Sequence, residues 1–301
     1  MKKLLSIFLC LVLLSAILSA CGTKEEGQDA EKEKDSKKTD AVFKIGAIPD
    51  QNAADLNRSM GELADYLSKE TGFQVEYVPS VDYAALVTAF ERGEIQLAWF
   101  GGLTGVQARS LVPEAEAIAQ RPMDKEFHSV YIANSETAIT KLEDVKGKSF
   151  TFGSESSTSG HLMPRYFMEQ AGISPDKDLN GAPNFSGSHD KTYKLVESGA
   201  FQAGALNEQV WKSAIDEKLV DTNKVKVIHT TPAYFDYNWT INDVSEKFGN
   251  DAKDKVKQAL LSINGEQEEI MSLFGSDSFI ETNNDNYKAI EEVAKELKII
   301  K

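Results

Sequence analysis

Apolar and polar positions alternate along the chain in a way that predicts strands followed by helices. An apolar run over 42–48 predicts a strand, and the spacing from Leu56 to Leu67 predicts a helix that ends at Gly72. We predict further strands over 73–78, 95–100, 128–134, 148–152, 184–186, 201–206 and 225–228, and further helices over 83–90, 162–171 and 210–219. This order is typical of α/β folds with parallel sheets.

The strand and helix series starts again after residues 128–134, which predicts two α/β lobes. We interpret residues 237–242 as a return crossing, after which helices over 252–263 and 287–297 complete the first lobe. The predicted boundaries place residues 42–130 and 240–301 in lobe 1, and residues 131–239 in lobe 2.

The first forty residues differ from the rest of the chain. Lys2 and Lys3 precede an apolar run over 4–20, which is typical of a secretory signal peptide, and a short spanning helix is the alternative. The run ends in Leu-Ser-Ala-Cys-Gly, which resembles the lipobox of bacterial lipoproteins, whose cysteine is lipidated. We therefore expect a signal peptide over 1–20 and a lipidated Cys21 that opens a charged, flexible tether over 21–41. The protein would then be anchored on the extracytoplasmic face of the cell membrane.

Composition argues against a disulfide in the mature chain and against a nucleic-acid partner. Cys10 and Cys21 lie in or directly after the predicted signal peptide, so the remaining chain has no cysteine for a disulfide. The formal net charge of −14 argues against a nucleic-acid partner, whose phosphates repel such a surface. It does not exclude an anionic ligand, because exposed charges are screened beyond about 8–10 Å, whereas a buried anion responds to the donors that touch it.

Residues 153–160 (Gly-Ser-Glu-Ser-Ser-Thr-Ser-Gly) carry the clearest candidate chemistry. Ser157, Thr158 and Ser159 bring three hydroxyl groups to a predicted helix N-terminus, whose free N–H groups and positive dipole end favour an anion. The alternative is that one hydroxyl simply caps the helix. A cap requires one such residue, so three of them between glycines favour an anion site.

Two further side chains are candidates for the same site. His189 follows Gly-Ser at the start of another predicted helix, where it could either donate to an anion or hold the loop in place. Tyr83 lies at a transition from loop to helix after a strand, where α/β sheets bind their ligands.

Other chemistries have weaker support in the sequence. An exported hydrolase using one of these serines is the rival class, but the chain has no G-x-S-x-G motif. The four histidines lack the close spacing of metal ligands; they are His128, His161, His189 and His229. The glycine-rich segments match neither the dinucleotide fingerprint nor the P-loop, so we expect no metal and no cofactor. Trp99, Phe100 and Trp211 sit in apolar patterns and are predicted core residues.

With these motifs identified, the chain resembles the phosphonate, phosphite and phosphate-type solute-binding proteins of ABC importers. The matching segments are 81–84 (Val-Asp-Tyr-Ala), 97–101 (Leu-Ala-Trp-Phe-Gly), Phe152 with 157–160 (Ser-Thr-Ser-Gly), and 187–189 (Gly-Ser-His). The resemblance implies a type II periplasmic-binding fold, in which two α/β lobes, each a mostly parallel sheet with helices on both faces, close on the ligand. It further implies a monomer that captures a small oxyanion without catalysis and delivers it to an ABC permease and its ATPase. A ligand-sensing domain of a membrane receptor shares this fold and is an alternative.

The resemblance also assigns roles to individual residues. It implies that Ser157, Thr158 and Ser159 hold the oxyanion, and that His189 and Tyr83 complete the cage around it.

Two departures from the family pattern bear on the ligand. Phe127 replaces an expected tyrosine, and the carboxylate that meets the amine in aminophosphonate binders is replaced at or near Gln209, while Asp236 could keep the other acidic position. Both argue against an aminoalkyl phosphonate, because its ammonium group would lose a charged partner. The chain also resembles a family branch described as selenate-binding, in segments 48–50, 101–102 and 207–209.

Asp50 and Asp236 discriminate between the remaining anions. Selenate and sulfate carry no proton at neutral pH, so a buried carboxylate would repel them, whereas a protonated phosphorus oxyanion can donate to it. If either aspartate touches the anion, we predict a phosphorus oxyanion; if both point away, selenate or sulfate is favoured.

Overall fold

The structure is a computed structural model that describes residues 41–300. The predicted signal peptide, Cys21 and the tether up to residue 40 lie outside this range. Among residues 41–300, none of the helices combines the length and the apolar composition that a membrane span requires.

The described residues form eleven strands and eleven α-helices, which alternate over much of the chain. The strands are β1 Val42–Ala47, β2 Gln74–Tyr77, β3 Leu97–Phe100, β4 Glu116–Gln120, β5 Ser129–Asn134, β6 Phe150–Phe152, β7 Asn184–Phe185, β8 Ala203–Asn207, β9 Val225–Thr230, β10 Asn238–Ile241 and β11 Ile280–Glu281. The helices are α1 Ala53–Thr71, α2 Tyr83–Glu91, α3 Gly102–Leu111, α4 Met163–Gln170, α5 Pro175–Asp178, α6 His189–Glu197, α7 Glu208–Asp216, α8 Ser245–Phe248, α9 Ala252–Leu261, α10 Glu268–Phe274 and α11 Lys288–Glu296.

The strands form two sheets, which confirms the predicted two-lobed α/β fold. The first sheet has the order β11-β4-β10-β3-β1-β2 and the second has the order β7-β6-β8-β5-β9. We call each sheet, with the helices packed on it, the first and the second lobe. Both sheets are mixed: most strands of each run in one direction, as predicted, but β10 and β5 run antiparallel to both of their neighbours.

The mixed character follows from how the chain passes between the sheets. It leaves the first sheet after β4 and returns before β10, so β5 runs against the other strands of the second sheet. In the first sheet, β10 and the edge strand β11 run against the remaining strands. The two crossings lie side by side, because Phe127 and Tyr234 exchange backbone hydrogen bonds of 2.9 and 3.0 Å. The residue boundaries that we predicted for the lobes stay a prediction.

Helix α1 shows how local sequence sets one element. The Asn52 side chain accepts hydrogen bonds from the first-turn N–H groups of Ala54 and Asp55, and Gly72 ends the helix in the left-handed conformation, with φ of 75°. The face that carries Leu56 and Leu67 is buried against the first sheet. The helix predicted from the apolar spacing is therefore confirmed.

Helix α3 was not predicted, because its first turn contains glycines, which are poor helix formers. These glycines are required by close packing. A side chain on Gly102 would place its Cβ 3.2 Å from the Phe235 carbonyl oxygen, and one on Gly101 would lie 3.1 Å from Oγ1 of Thr158. The start of α3 therefore lies directly against the second crossing and the second lobe.

The cores follow the sheets. The predicted core residues Trp99, Phe100 and Trp211 are all buried. Each face of the second sheet carries its own apolar cluster, whereas one large cluster spans the first lobe. That large cluster also includes Leu162 and Met163 at the start of α4, so this end of the second lobe packs on the first.

Candidate functional site

The predicted oxyanion residues lie where four segments converge between the two lobes. Ser157, Thr158 and Ser159 precede α4, His189 opens α6, and Tyr83 opens α2. Asp236 lies on the second crossing, one residue before Tyr237. All six predicted residues are buried.

Ser157, Thr158 and Ser159, which we call the hydroxyl segment, differ in their hydrogen bonds. Ser157 Oγ accepts a hydrogen bond of 2.9 Å from the Gly160 N–H, so the predicted capping alternative holds for this one residue. Thr158 Oγ1 accepts 2.9 Å from the Leu103 N–H, which joins the second lobe to α3 of the first. Within the described residues the Ser159 hydroxyl makes no hydrogen bond. One hydroxyl caps the turn, one bridges the lobes, and one is free for a ligand.

Two buried polar atoms near this segment are unsatisfied. Asp236 Oδ1 accepts 2.9 Å from the Gly102 N–H, but its Oδ2 and the Tyr83 hydroxyl have no hydrogen-bond partner among residues 41–300. A buried unsatisfied polar atom costs about 1–3 kcal/mol, so such atoms call for a bound partner. Burial raises the pKa of Asp236 to about 7, although the Gly102 N–H and the Thr158 hydroxyl oppose this rise.

His189 is held as a neutral hydrogen-bond donor. Its Nδ1 accepts a 3.3 Å bond from the Asn207 N–H, so the ring proton is assigned to Nε2. Burial lowers the pKa of His189 to about 4, so the ring stays neutral at neutral pH. The backbone N–H of His189 donates a 3.0 Å hydrogen bond to the Asp50 carbonyl oxygen. His189 therefore holds the loop with its backbone, while its ring Nε2–H lies 3.4 Å from the Tyr237 hydroxyl oxygen and can donate there or to a ligand.

Asp50 accepts from a tyrosine of the second crossing. Its Oδ2 accepts a 2.8 Å bond from the Tyr237 hydroxyl. Burial raises the pKa of Asp50 to about 6, while the Tyr237 bond and the nearby Arg121 charge act in the opposite direction. The two aspartates thus differ, because this Asp50 oxygen has a protein partner and Oδ2 of Asp236 has none.

Comparison with known proteins assigns this site to a family. The model of the periplasmic substrate-binding proteins of phosphonate ABC transporters matches residues 45–287. The chain belongs to this family. It is an extracytoplasmic solute-binding component of an ABC importer, which confirms the predicted family, fold and function class.

Individual relatives agree with this assignment. A probable ABC transporter phosphite-binding protein of Prochlorococcus marinus (strain MIT 9301), PhnD1, is 40% identical over 270 residues, which cover 86% of this chain and 91% of the relative. The phosphate-import protein PhnD of Mycolicibacterium smegmatis is 29% identical over 259 residues, covering 82% and 78%. The structure of P. marinus PhnD1 in complex with methylphosphonate matches with a TM-score of 0.82 at 41% identity, over 86% of this chain and 99% of that chain. The relatives are transport proteins, and an importer implies a permease and an ATPase as partners.

The cavity that Gln209 lines does not include the hydroxyl segment of this binding protein. Its side chain packs on Gly275, where a Cβ would lie only 2.3 Å from its Nε2. It lines a small cavity between the lobes together with Asp50, Asn207 and Tyr237. The structure therefore brings Gln209 and Asp50 together, while its contact with a ligand stays a prediction.

Arg121 is buried beside the site and was not predicted as a site residue. Its guanidinium binds both carboxylate oxygens of Asp124 at 2.6 and 2.8 Å, and its charge lies 4.8 Å from the centre of the Tyr237 ring. The rings of Trp99 and Phe127 also face it. Arg121 and Asp124 carry opposite charges three positions apart, directly after an apolar run. This pattern was the available signal for a buried ion pair.

Asn207 and Tyr237 were also missed. Asn207 caps α7 with its Oδ1, and an asparagine before a predicted helix could have indicated this role. Nothing in the apolar pattern around Tyr237 distinguishes its hydroxyl from a core position.

Gly160 provides a first test of the site geometry. A Cβ at this position would lie 2.9 Å from Ser157 Oγ and 3.0 Å from Cε1 of His189, both of which belong to the predicted cage. We expect Gly160→Ala to displace them and to weaken ligand binding roughly tenfold or more, since a hydrogen bond to a charged group contributes about 1.5–3 kcal/mol. Titration calorimetry with methylphosphonate measures this effect.

Gly61→Ala is the matched control for that variant. Gly61 lies in α1, and a Cβ there meets nothing within 4 Å. Alanine is the better helix former, so this change should leave the affinity unaltered and stabilise the protein slightly. Equal affinities of the two variants would contradict the proposed packing of Gly160.

Proposed function

We propose that this protein captures a small phosphorus oxyanion that carries a proton, such as phosphite or methylphosphonate, and delivers it unchanged to its permease. The observation that carries the proposal is the free, buried Oδ2 of Asp236 beside the hydroxyl segment. An ionised carboxylate repels a fully deprotonated anion, whereas a ligand with a P–O–H group donates a hydrogen bond to it. The names of the P. marinus relative and of its complex agree with this chemistry.

The remaining oxygens of the ligand require donors, and the site supplies several of them. We assign the ligand contacts to Ser157, Thr158 and Ser159 at the turn, to Nε2–H of His189, and to the Tyr83 hydroxyl. The donors are neutral groups with defined positions, and each lies in a buried environment where hydrogen bonds to an anion are strong. No step of this proposal requires turnover, so the protein acts as a carrier and not as a hydrolase.

Gln209 supports a ligand without an amino group. The cavity that it lines also contains Asp50, whose Oδ2 already accepts from Tyr237. An ammonium group placed there would meet an amide in place of a second carboxylate. We therefore propose that the substituent on phosphorus is a hydrogen atom or a small apolar group.

The proposal for membrane attachment depends on the sequence. We propose that lipidation of Cys21 and the charged segment up to residue 41 tether a monomeric binding protein to the extracytoplasmic face of the membrane. Metabolic labelling with a radioactive fatty acid should mark the wild-type chain and not a Cys21→Ser variant.

Titration calorimetry with a panel of anions tests the ligand proposal. We expect phosphite and methylphosphonate to bind at least tenfold more tightly than sulfate, selenate and 2-aminoethylphosphonate at pH 7.5, because one charge-assisted hydrogen bond contributes about 1.5–3 kcal/mol. Equal or tighter binding of sulfate or selenate would overturn the proposal, as would the absence of binding by every anion of the panel.

A further inference from the structure

Four buried residues form a continuous set of hydrogen bonds between the lobes. The Asn207 Nδ2 donates 2.8 Å to the Tyr237 hydroxyl oxygen, and the Tyr237 hydroxyl donates 2.8 Å to Asp50 Oδ2. The Asp50 carbonyl oxygen accepts from the His189 N–H, and His189 Nδ1 accepts from the Asn207 N–H. The last bond closes the set into a ring.

The ring joins parts of the chain that belong to different lobes. Asp50 follows β1 of the first sheet, and Tyr237 directly precedes β10 of the same sheet. Asn207 ends β8 of the second sheet, and His189 opens α6, which packs on that strand. The bonds from Asn207 to Tyr237 and from His189 to Asp50 therefore exist only while the lobes are in contact.

The Asp50, Tyr237 and Asn207 side chains differ from the ligand-facing groups in one respect. The Tyr237 hydroxyl both donates and accepts, and it also lies 3.4 Å from Nε2 of His189. Both polar atoms of the Asn207 side chain have protein partners, because Oδ1 caps α7 while Nδ2 reaches Tyr237. The unsatisfied buried atoms near the hydroxyl segment lie elsewhere, on Tyr83 and Asp236. Groups that already have protein partners have little left to offer a ligand, but they stabilise the arrangement in which those partners meet.

We propose that Asp50, Tyr237 and Asn207 form a closure latch, which holds the lobes together without selecting the ligand. This inference rests on the proposed function at one point, because the latch helps to retain a ligand only if the protein captures an anion. A latch stabilises the closed state by the same free energy whichever anion is bound, because its hydrogen bonds join protein groups to each other. A ligand-contacting residue changes the affinity of different anions by different factors.

Tyr237→Phe removes the latch hydroxyl while keeping the ring that lies on Arg121. In stopped-flow measurements we expect the dissociation rates of phosphite, methylphosphonate and phosphate to rise by a common factor of roughly ten, with association rates changed much less. Factors that differ more than about fivefold between the three anions would overturn the latch, because Tyr237 would then act on the ligand.

Tyr234→Phe is a matched control on the same crossing. Tyr234 is also buried, and its hydroxyl makes a short bond of 2.6 Å, but to Ser129 of the second sheet and not to the first lobe. It should lower the melting temperature as Tyr237→Phe does, yet leave the dissociation rates at their wild-type values. Asp50→Asn retains an acceptor for Tyr237 and should release ligand more slowly than Asp50→Ala.

Hydrogen exchange tests the latch without any ligand. The N–H groups of His189 and Leu103 donate across the lobes, to Asp50 and to Thr158, so their exchange rates report on opening. In the ligand-free full-length chain, Tyr237→Phe should speed exchange at both amides roughly tenfold relative to Tyr234→Phe. Equal rates in the two variants would refute the latch. If no anion of the panel binds, the proposed function fails, while the exchange rates still decide whether the latch exists.

Discussion

Replacing Asp236 with asparagine is expected to invert the anion preference of this protein. The variant should lose about 10–100-fold in affinity for phosphite and methylphosphonate, because their P–O–H group loses a charged acceptor whose hydrogen bond contributes about 1.5–3 kcal/mol. Sulfate and selenate should gain affinity, since the amide of asparagine carries no charge and can turn an N–H towards them. Titration calorimetry of both variants with the four anions measures the inversion.

The pH dependence of sulfate binding provides a second, independent test of the role of the Asp236 carboxyl group. Sulfate carries no proton at neutral pH, so it should bind the wild-type protein only while Asp236 is protonated. Because burial raises the pKa of Asp236 to about 7, the affinity should level off below that pH. Above it, the affinity should fall by up to about tenfold for each pH unit. In Asp236→Asn this dependence should disappear.

Asp50→Asn is the control for this prediction. Asp50 is also buried, and its pKa is also raised, to about 6, but its Oδ2 accepts from Tyr237. We expect Asp50→Asn to change all four affinities by similar factors and to leave the order of preference intact. If Asp50→Asn inverted the preference and Asp236→Asn did not, the assignment of the two carboxyl groups would be wrong.

The parts of the site that could be predicted are those with a local signal. Ser157, Thr158 and Ser159 stood out because several hydroxyl residues at a helix start exceed what capping requires, and Ser157 does cap the turn. Tyr83 was identified by its position after a strand. Most strands and helices of both lobes were predicted for the same reason, since apolar periodicity is a local property, but β4 and α3 were not predicted.

The parts that could not be predicted depend on contacts between distant segments. Tyr237 binds Asp50 across 187 positions of sequence, and Asn207 reaches Tyr237 across 30. No periodicity encodes such a pairing. The same limit applied to α3, whose glycines are explained only by the crossing and the turn that lie against them. The role of each aspartate became distinct only when their hydrogen-bond partners were known.

Arg121→Met is expected to destabilise the ligand-free protein more than any other single substitution considered above. It leaves Asp124 buried without its partner, and the Phe274 carbonyl oxygen loses a 2.8 Å bond. Breaking a buried ion pair on one side costs about 3–5 kcal/mol. For a domain of this size, that corresponds to a fall in melting temperature on the order of 10 °C. Calorimetric unfolding in the absence of anions measures it.

Arg165→Met is the matched control, because Arg165 also makes two bonds to one aspartate. Its partner Asp176 is 65% exposed, whereas Asp124 is fully buried, so water replaces the lost ion-pair partner. The variant also loses the 3.0 Å bond from Arg165 to Nε2 of His161, so the total cost should stay below about 2 kcal/mol. Similar losses in the two variants would contradict the importance that we assign to burial of the Arg121 pair.

The pH dependence of the Arg121→Met defect separates a charge effect from a packing effect. Burial already raises the pKa of Asp124 with Arg121 beside it, and removal of Arg121 should raise it further. A carboxyl group whose pKa is higher in the folded than in the unfolded state loses its contribution to stability as the pH rises. The defect should therefore be smaller at pH 5 than at pH 8.

The double variant Arg121→Met with Asp124→Leu should recover most of the stability at both pH values, because no buried charge remains. A defect that is independent of pH and persists in the double variant would instead assign the loss to packing of Arg121 on the rings of Trp99, Phe127 and Tyr237.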